Sequence, residues 1–262
     1  MHLFLAPHFD DAVYSCGGLI HQLTQAGKPV VVHTVMGGRP HPERLPDSAI
    51  VQELHARWGQ EDPVAARIAE DEAAVHSLGA KAVHLVNWLD CIYRKTRDGK
   101  TLYPTWESIF AGINPQDTTA QLLPTMVLPP EETVETIYVP LGVGNHVDHL
   151  VVRNWGLELA QQYRWLTIKF YEEYPYIATA GVLDSALDFF KDAEPPINLE
   201  PEVVALKEND VAAKVTAVGL YQSQLSSFWA DADAMNTAVR ETLTQTGGGS
   251  PAERYWVLPG RA

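Results

Sequence analysis

Short apolar runs alternate with longer stretches of helical spacing through the first two thirds of the chain. Residues 3–6 (LFLA) predict a buried strand, residues 19–26 carry a helix-like pattern that stops at Gly27, and residues 29–35 predict a second strand closed by Gly37 and Gly38. Helical spacing returns over residues 47–59 and 63–78, the latter ended by Gly79, and residues 82–86 predict a third strand. A fourth strand is predicted over residues 137–141, a helix over about 147–162 and a fifth strand over 167–172. This alternation predicts an α/β fold: a Rossmann-like, mostly parallel sheet with helices on both faces, in three layers.

Two regions depart from that rhythm. About fifty residues between the third and fourth strands are rich in Thr, Pro and Asp and include Pro104, Pro115, Pro124, Pro129 and Pro130. Residues 95–133 read as a loop insertion near the site, because loops this long inside a compact domain are commonly functional lids. From about residue 175 the pattern is less regular, with a helical stretch around 202–220, a polar TQTGGGSP turn and a final ERYWVL that packs on the sheet. No internal repeat is present, and residues 1–262 read as one domain long enough for a substantial core.

Composition bears on partners more than on fold. Nineteen Lys and Arg against 33 Asp and Glu give a formal charge of −14, which repels a phosphate backbone and argues against nucleic acid. The two cysteines, Cys16 and Cys91, argue against a disulfide framework and suit a reducing, cytoplasmic compartment. The N-terminus lacks the pattern of a secretory signal, and nothing approaches the roughly 20 apolar residues needed to span a bilayer. SCGGLIH, residues 15–21, lacks the Gly-x-Gly-x-x-Gly spacing, so no nicotinamide cofactor is expected.

Candidate chemistry lies in two clusters, LAPHFDDAVYSCGG (5–18) and PLGVGNHVDHLVVR (140–153), each following a predicted strand. If strands one and four are neighbours, both clusters lie where open α/β sheets bind ligands. His146 and His149 are three apart and share a helix face, with Asp148 pointing away. His8, one aspartate of the pair Asp10 and Asp11, and one later histidine supply two nitrogen ligands and one oxygen, the pattern of catalytic zinc with an open position. The unligated carboxylate can then deprotonate zinc-bound water, and the unligated histidine can steady the oxyanion or protonate the leaving amine.

Each cluster alone has an ordinary reading: Asp10 or Asp11 as a helix cap, Asn145 as the other cap, the histidines as an exposed helix face. Two histidines and a carboxylate also describe a non-haem Fe(II) oxygenase, and a third reading is a non-catalytic glycan-binding protein. Spacing does not choose between Asp10 and Asp11 for the metal. Trp88, Asp90, Tyr93 and Arg94, after the third strand, are candidates either for a sugar pocket or for core.

HFDDA and HVDH resemble the His-Pro-Asp-Asp-Glu and His-x-Asp-His signatures of the LmbE-like, or PIG-L, family of metal-dependent de-N-acetylases. The resemblance implies His8, Asp11 and His149 as zinc ligands (Fe2+ being the alternative ion), Asp10 as general base, and His146 as an electrostatic or general-acid group. RIAEDEAAVHSLGA (67–80) resembles the family's Arg-x-x-Glu helix, which implies that Arg67 contacts substrate hydroxyls; the plain alternative is an i, i+4 pair with Asp71. LDCIYR (89–94), YEEYPY (171–176) and YQSQ (221–224) resemble a bacterial branch, so the likeness covers most of the chain.

Phe9 and Ala12 depart from the family's proline and glutamate, and Gly144 stands where some members place a tyrosine that polarises the carbonyl. That task then falls to the metal and His146, or to another residue. The implied activity is hydrolysis of the N-acetyl group of an N-acetylglucosamine-type sugar or conjugate by zinc-bound water. The expected partner is thus a small acetylated amino sugar, with a homo-oligomer left open.

Overall fold

The computed structural model describes residues 1–59, 61–127 and 134–259. Its seven strands are β1 (His2–Ala6), β2 (Val30–Thr34), β3 (Lys81–His84), β4 (Thr136–Pro140), β5 (Thr167–Tyr171), β6 (Glu200–Ala205) and β7 (Ala252–Val257). They form one sheet in the order β3-β2-β1-β4-β5-β7-β6. All neighbours from β3 to β5 pair in parallel, whereas β7 runs antiparallel to both β5 and β6. Phe4 of β1 pairs with Val32 on one side and Tyr138 on the other, so strands one and four are neighbours.

The helices are α1 (Asp11–Gln25), α2 (Ala49–Trp58), α3 (Pro63–Ser77), α4 (Trp106–Phe110), α5 (Thr118–Leu122), α6 (Val147–Gln162), α7 (Val182–Lys191), α8 (Glu208–Val218), α9 (Gln222–Phe228) and α10 (Ala232–Thr246). Strands covered on both faces are apolar throughout, and alternate side chains enter separate cores. Phe4, Ala6 and Tyr138 pack with α1, α3, α8 and α10, while Leu3, Leu5, Ile137 and Val139 pack with α6 and α7. The sheet is therefore sandwiched, as the alternation of elements predicted. No helix among the described residues is long and apolar enough to cross a membrane.

Two element assignments need correction. The first helix begins at Asp11, not near residue 19, and Gly17 and Gly18 lie inside it. A Cβ on Gly18 would stand 2.4 Å from Leu206 Cδ1, so the glycines permit close packing that a periodicity search reads as a break. The helix expected over residues 202–220 divides into β6, an edge strand, and α8. Glu200, Pro201 and Val203 of that strand are exposed, the profile of a protected edge rather than a buried helix face. Helix α6 matches its predicted span. Pro129 and Pro130 lie outside the described residues.

Candidate metal centre and active site

The chain passes out along β1, β2 and β3 and returns to β4 beside β1, so the sheet's switch point lies between β1 and β4. The loop after β1 carries His8 and Asp10 into the start of α1, and the loop after β4 carries His146 into the start of α6. Both loops open at the carboxyl ends of their strands, the crevice where such sheets bind ligands. Within the second loop Asn145 holds a left-handed backbone (φ 64°), and the α6 cap is His146 itself, whose Nδ1 accepts from Asp148 N at 3.3 Å. Asn145 is therefore not the cap, and the Asp10 side chain makes no cap hydrogen bond either.

Three of the expected ligands meet at one point. His8 Nδ1 lies 3.3 Å from Asp11 Oδ2, and His149 Nε2 lies 3.4 Å from Asp11 Oδ1. His149 Nε2 is buried with no hydrogen-bond partner, a costly state for a fully enclosed ring nitrogen unless something fills the gap. The far side of each ring is held by a carboxylate: His8 Nε2 by Asp148 Oδ2 at 3.0 Å and His149 Nδ1 by Glu173 Oε1 at 3.3 Å. This carboxylate–histidine arrangement is the usual support for a metal-binding imidazole. Glu173 is fixed in turn by the N–H groups of Gly142 (2.7 Å) and Val143 (3.0 Å).

Asp148 thus points inward, contrary to the helical-wheel expectation, because its position in the first turn of α6 faces the 91–94 segment. It is fully buried and accepts from Cys91 N at 2.9 Å, from His8 and from Arg94, which also lies 3.2 Å from Asp117 Oδ2. His146 Nε2 stands 4.0 Å from Cys91 Sγ, and its ring packs 4.9 Å from His8 and 5.2 Å from His149. One ring nitrogen from each of His8, His146 and His149 lies within 4.8 Å of the other two.

The charges sort these groups into roles. Burial opposes ionisation of Asp11, yet His149 and His8 beside it hold its carboxyl well below the usual range. Burial likewise opposes charge on His8, but Asp90, Asp11 and Asp148 outweigh it and push its pKa well up; the same negative surroundings would hold a cation. Asp10 is raised to about 6 by burial and by the charge of Asp11. His146 is pushed well below its ordinary value by burial and by positive His8 and His149, so it is a neutral imidazole near pH 7. With Nδ1 accepting from Asp148 N, its proton sits on Nε2.

Around these residues lies an open cleft of about 200 Å3. His8, Asp10, Asp11, Arg67, Asp90 and His146 line its polar part, and Trp58, Trp106, Phe110, Tyr176 and Phe228 its walls. Arg67 sits over Trp58 (4.6 Å) and Phe9 (5.3 Å) with Nη2 3.8 Å from Asp10 Oδ1. It does not pair with Asp71, which instead accepts from Thr34 and Tyr221 and meets His84 Nε2 at 2.8 Å. Phe9, where the family's proline would stand, is thus the lower face of the Arg67 seat, and Ala12 is buried core.

Of the four residues proposed after the third strand, only Asp90 lines this cleft. Tyr93 and Arg94 are buried, the former against His55 Nε2 at 2.8 Å, and Trp88 faces a separate depression. Helix α4, inside the 95–133 stretch, supplies Trp106, Ile109 and Phe110 to one wall. Sequence reasoning missed Glu173, Tyr176 and the inward turn of Asp148. The YEEYPY segment marked the first two, but a carboxylate beside aromatic residues carries no spacing signal of its own.

A family model described as GlcNAc-PI de-N-acetylase (PIG-L) matches residues 3–160, which include both ligand clusters. The 2'-N-acetylparomamine deacetylase of Niallia circulans is 27% identical over 268 residues, covering 97% of this chain and 90% of that protein. A zinc-inhibited form of the teicoplanin deacetylase Orf2 superposes with a TM-score of 0.79 at 26% identity, covering 98% of this chain and 97% of that one. The A40926 pseudoaglycone deacetylase Dbv21 gives 0.73 at 26% identity, over 100% and 98%. With the two histidine–aspartate clusters brought together at the β1–β4 switch point and the family match spanning both, the chain belongs to the PIG-L family.

Proposed function

We propose that this protein is a metal-dependent deacetylase that hydrolyses the N-acetyl group of an amino sugar carried on a larger conjugate. The observation that carries the reading is the convergence of His8 Nδ1, Asp11 and the partnerless Nε2 of His149, each histidine backed by its own carboxylate. These three residues would hold the ion, and their two imidazoles and one carboxylate suit zinc. A zinc ion there supplies Lewis acidity, lowering the pKa of a water to about 7 and polarising the acetyl carbonyl.

Asp10, unligated and adjacent, takes the proton of the attacking water and passes it to the amine as the C–N bond breaks. His146 presents a neutral Nε2–H to the acetyl oxygen as charge gathers there, so its part is electrostatic rather than that of a protonated acid. Arg67, held on Trp58 and Phe9, is placed for sugar hydroxyls. The similar proteins named for 2'-N-acetylparomamine, teicoplanin and the A40926 pseudoaglycone support a conjugate of this kind. The free, buried thiols of Cys16 and Cys91 suit action in a reducing compartment, the cytoplasm.

The test is acetate release, read by NMR, from a panel of N-acetylated glycosides that includes N-acetylglucosamine and an N-acetylated aminoglycoside. The zinc-loaded protein should release acetate from the larger conjugate faster than from the free sugar, and Asp10→Asn should release none. Release by Asp10→Asn at the parent rate would overturn the assignment of the base, and no release by the parent from any member would overturn the function.

A further inference from the structure

The proposed reaction gathers negative charge on a single atom, the acetyl oxygen, and His146 faces it with one donor. Oxyanions in acyl transfer are commonly met by more than one preorganised donor. Tyr176 stands on the wall of the same cleft. It begins a single 3-10 turn, Tyr176–Ala178, three residues after Glu173, so the segment that orients His149 also presents this phenol. The Tyr176 ring meets the His149 ring edge-on at 5.6 Å and the Phe110 ring at 6.2 Å.

Room for that ring is made at Gly144, whose φ of +83° suits glycine alone. A Cβ at 144 would lie 2.7 Å from Tyr176 Cγ and 2.9 Å from Cδ1, so any side chain there would push the ring out of the cleft. The Tyr176 hydroxyl makes no hydrogen bond with any described residue. Three buried tyrosines elsewhere in the fold are satisfied, Tyr171 donating to Leu5 O at 3.0 Å, Tyr221 to Asp71 at 2.7 Å and Tyr255 to Glu253 at 2.9 Å, whereas the Tyr14 hydroxyl, which also borders this cleft, shares with Tyr176 the lack of a partner. A phenol brought to the cleft wall by a bare loop, and left without a protein acceptor, points to an acceptor on the ligand.

We propose that Tyr176 is a catalytic residue whose hydroxyl donates a hydrogen bond to the acetyl oxygen, beside His146 Nε2–H. The assignment rests on the deacetylase reading above. No proton changes hands at this atom: water adds to the carbonyl carbon and its proton goes to Asp10. The C–N bond then breaks, the amine leaves with the proton from Asp10, and the oxygen returns to a neutral carbonyl. The phenol, whose ordinary pKa is about 10, remains a donor throughout.

Tyr176→Phe keeps the ring and its packing and removes only the hydroxyl. The expected result is a fall in kcat of about 10²–10³-fold, with KM and bound zinc per chain unchanged. Affinity for a tetrahedral methylphosphonamidate analogue of the accepted sugar should fall by the same factor as kcat/KM, while affinity for the product amine stays constant. An active parent beside a Tyr176→Phe protein within threefold of its kcat overturns this assignment alone, as does a loss of affinity shared equally by analogue and product. A parent that releases no acetate overturns the deacetylase reading, and this assignment with it.

Discussion

Asp148→Asn removes one charge from a fully buried position without changing side-chain size. In the native protein its two oxygens serve three donors, His8 Nε2 at 3.0 Å, Cys91 N at 2.9 Å and the Arg94 guanidinium. An amide offers one acceptor oxygen and turns an NH2 group towards the remaining donors. Breaking a buried ion pair costs about 3–5 kcal/mol, and because Asp117 still lies 3.2 Å from Arg94 the lower figure, about 3 kcal/mol, applies. For a chain of this size each kcal/mol lowers Tm by about 2–4 °C, giving a fall of about 6–12 °C.

The same substitution frees His8 Nε2 from its acceptor, so the imidazole no longer has a fixed tautomer or angle. Loss of such a partner typically weakens metal binding by about 10–100-fold. Thermal unfolding of the metal-free protein reads the first effect, and zinc titration against a competing chelator reads the second. A variant that melts with the parent and holds zinc as tightly would refute the account of Asp148, and restore the expectation that it points away from the site.

Because Asp10 must be ionised to accept a proton, kcat/KM should fall tenfold per pH unit through one acid limb, which should lie below the value of about 6 set by burial and the charge of Asp11, since a cation on Asp11 offsets that charge. A pH–rate profile with no acid limb contradicts that role. Gly156→Ala places a methyl 2.8 Å from Cγ2 of Val139, a β-branched residue with little freedom to turn aside. Overpacking should outweigh the gain in helix propensity and lower stability by about 1–2 kcal/mol, read by urea denaturation.

The parallel centre of the fold was legible because its strands are apolar on both faces and its helices are long enough to show a period. The adjacency of β1 and β4, a condition for the two clusters to meet, is supplied by the sheet order. What escaped was whatever depends on tertiary packing. Gly17 and Gly18 look like a break and lie inside α1, because only glycine lets that helix approach Leu206 and Lys214 so closely. Residues 202–205 resemble helix by spacing and become an edge strand because β7 is there to pair with them. In the site, the candidate ligands lie in short motifs that the sequence displays, whereas the groups that support them do not. Glu173 reaches His149 from 24 residues away and Arg94 reaches Asp148 from 54, distances at which no periodic pattern operates.

The account turns on one ion held by His8, Asp11 and His149, and metal content measured by mass spectrometry tests it most directly. Protein reconstituted with zinc and freed of excess should carry about one equivalent per chain, Asp10→Asn should carry the same, and His8→Ala and His149→Ala should carry almost none. A parent that binds no metal after reconstitution, or a His149→Ala protein that keeps it, would contradict the convergence of the two clusters on which the proposed chemistry depends.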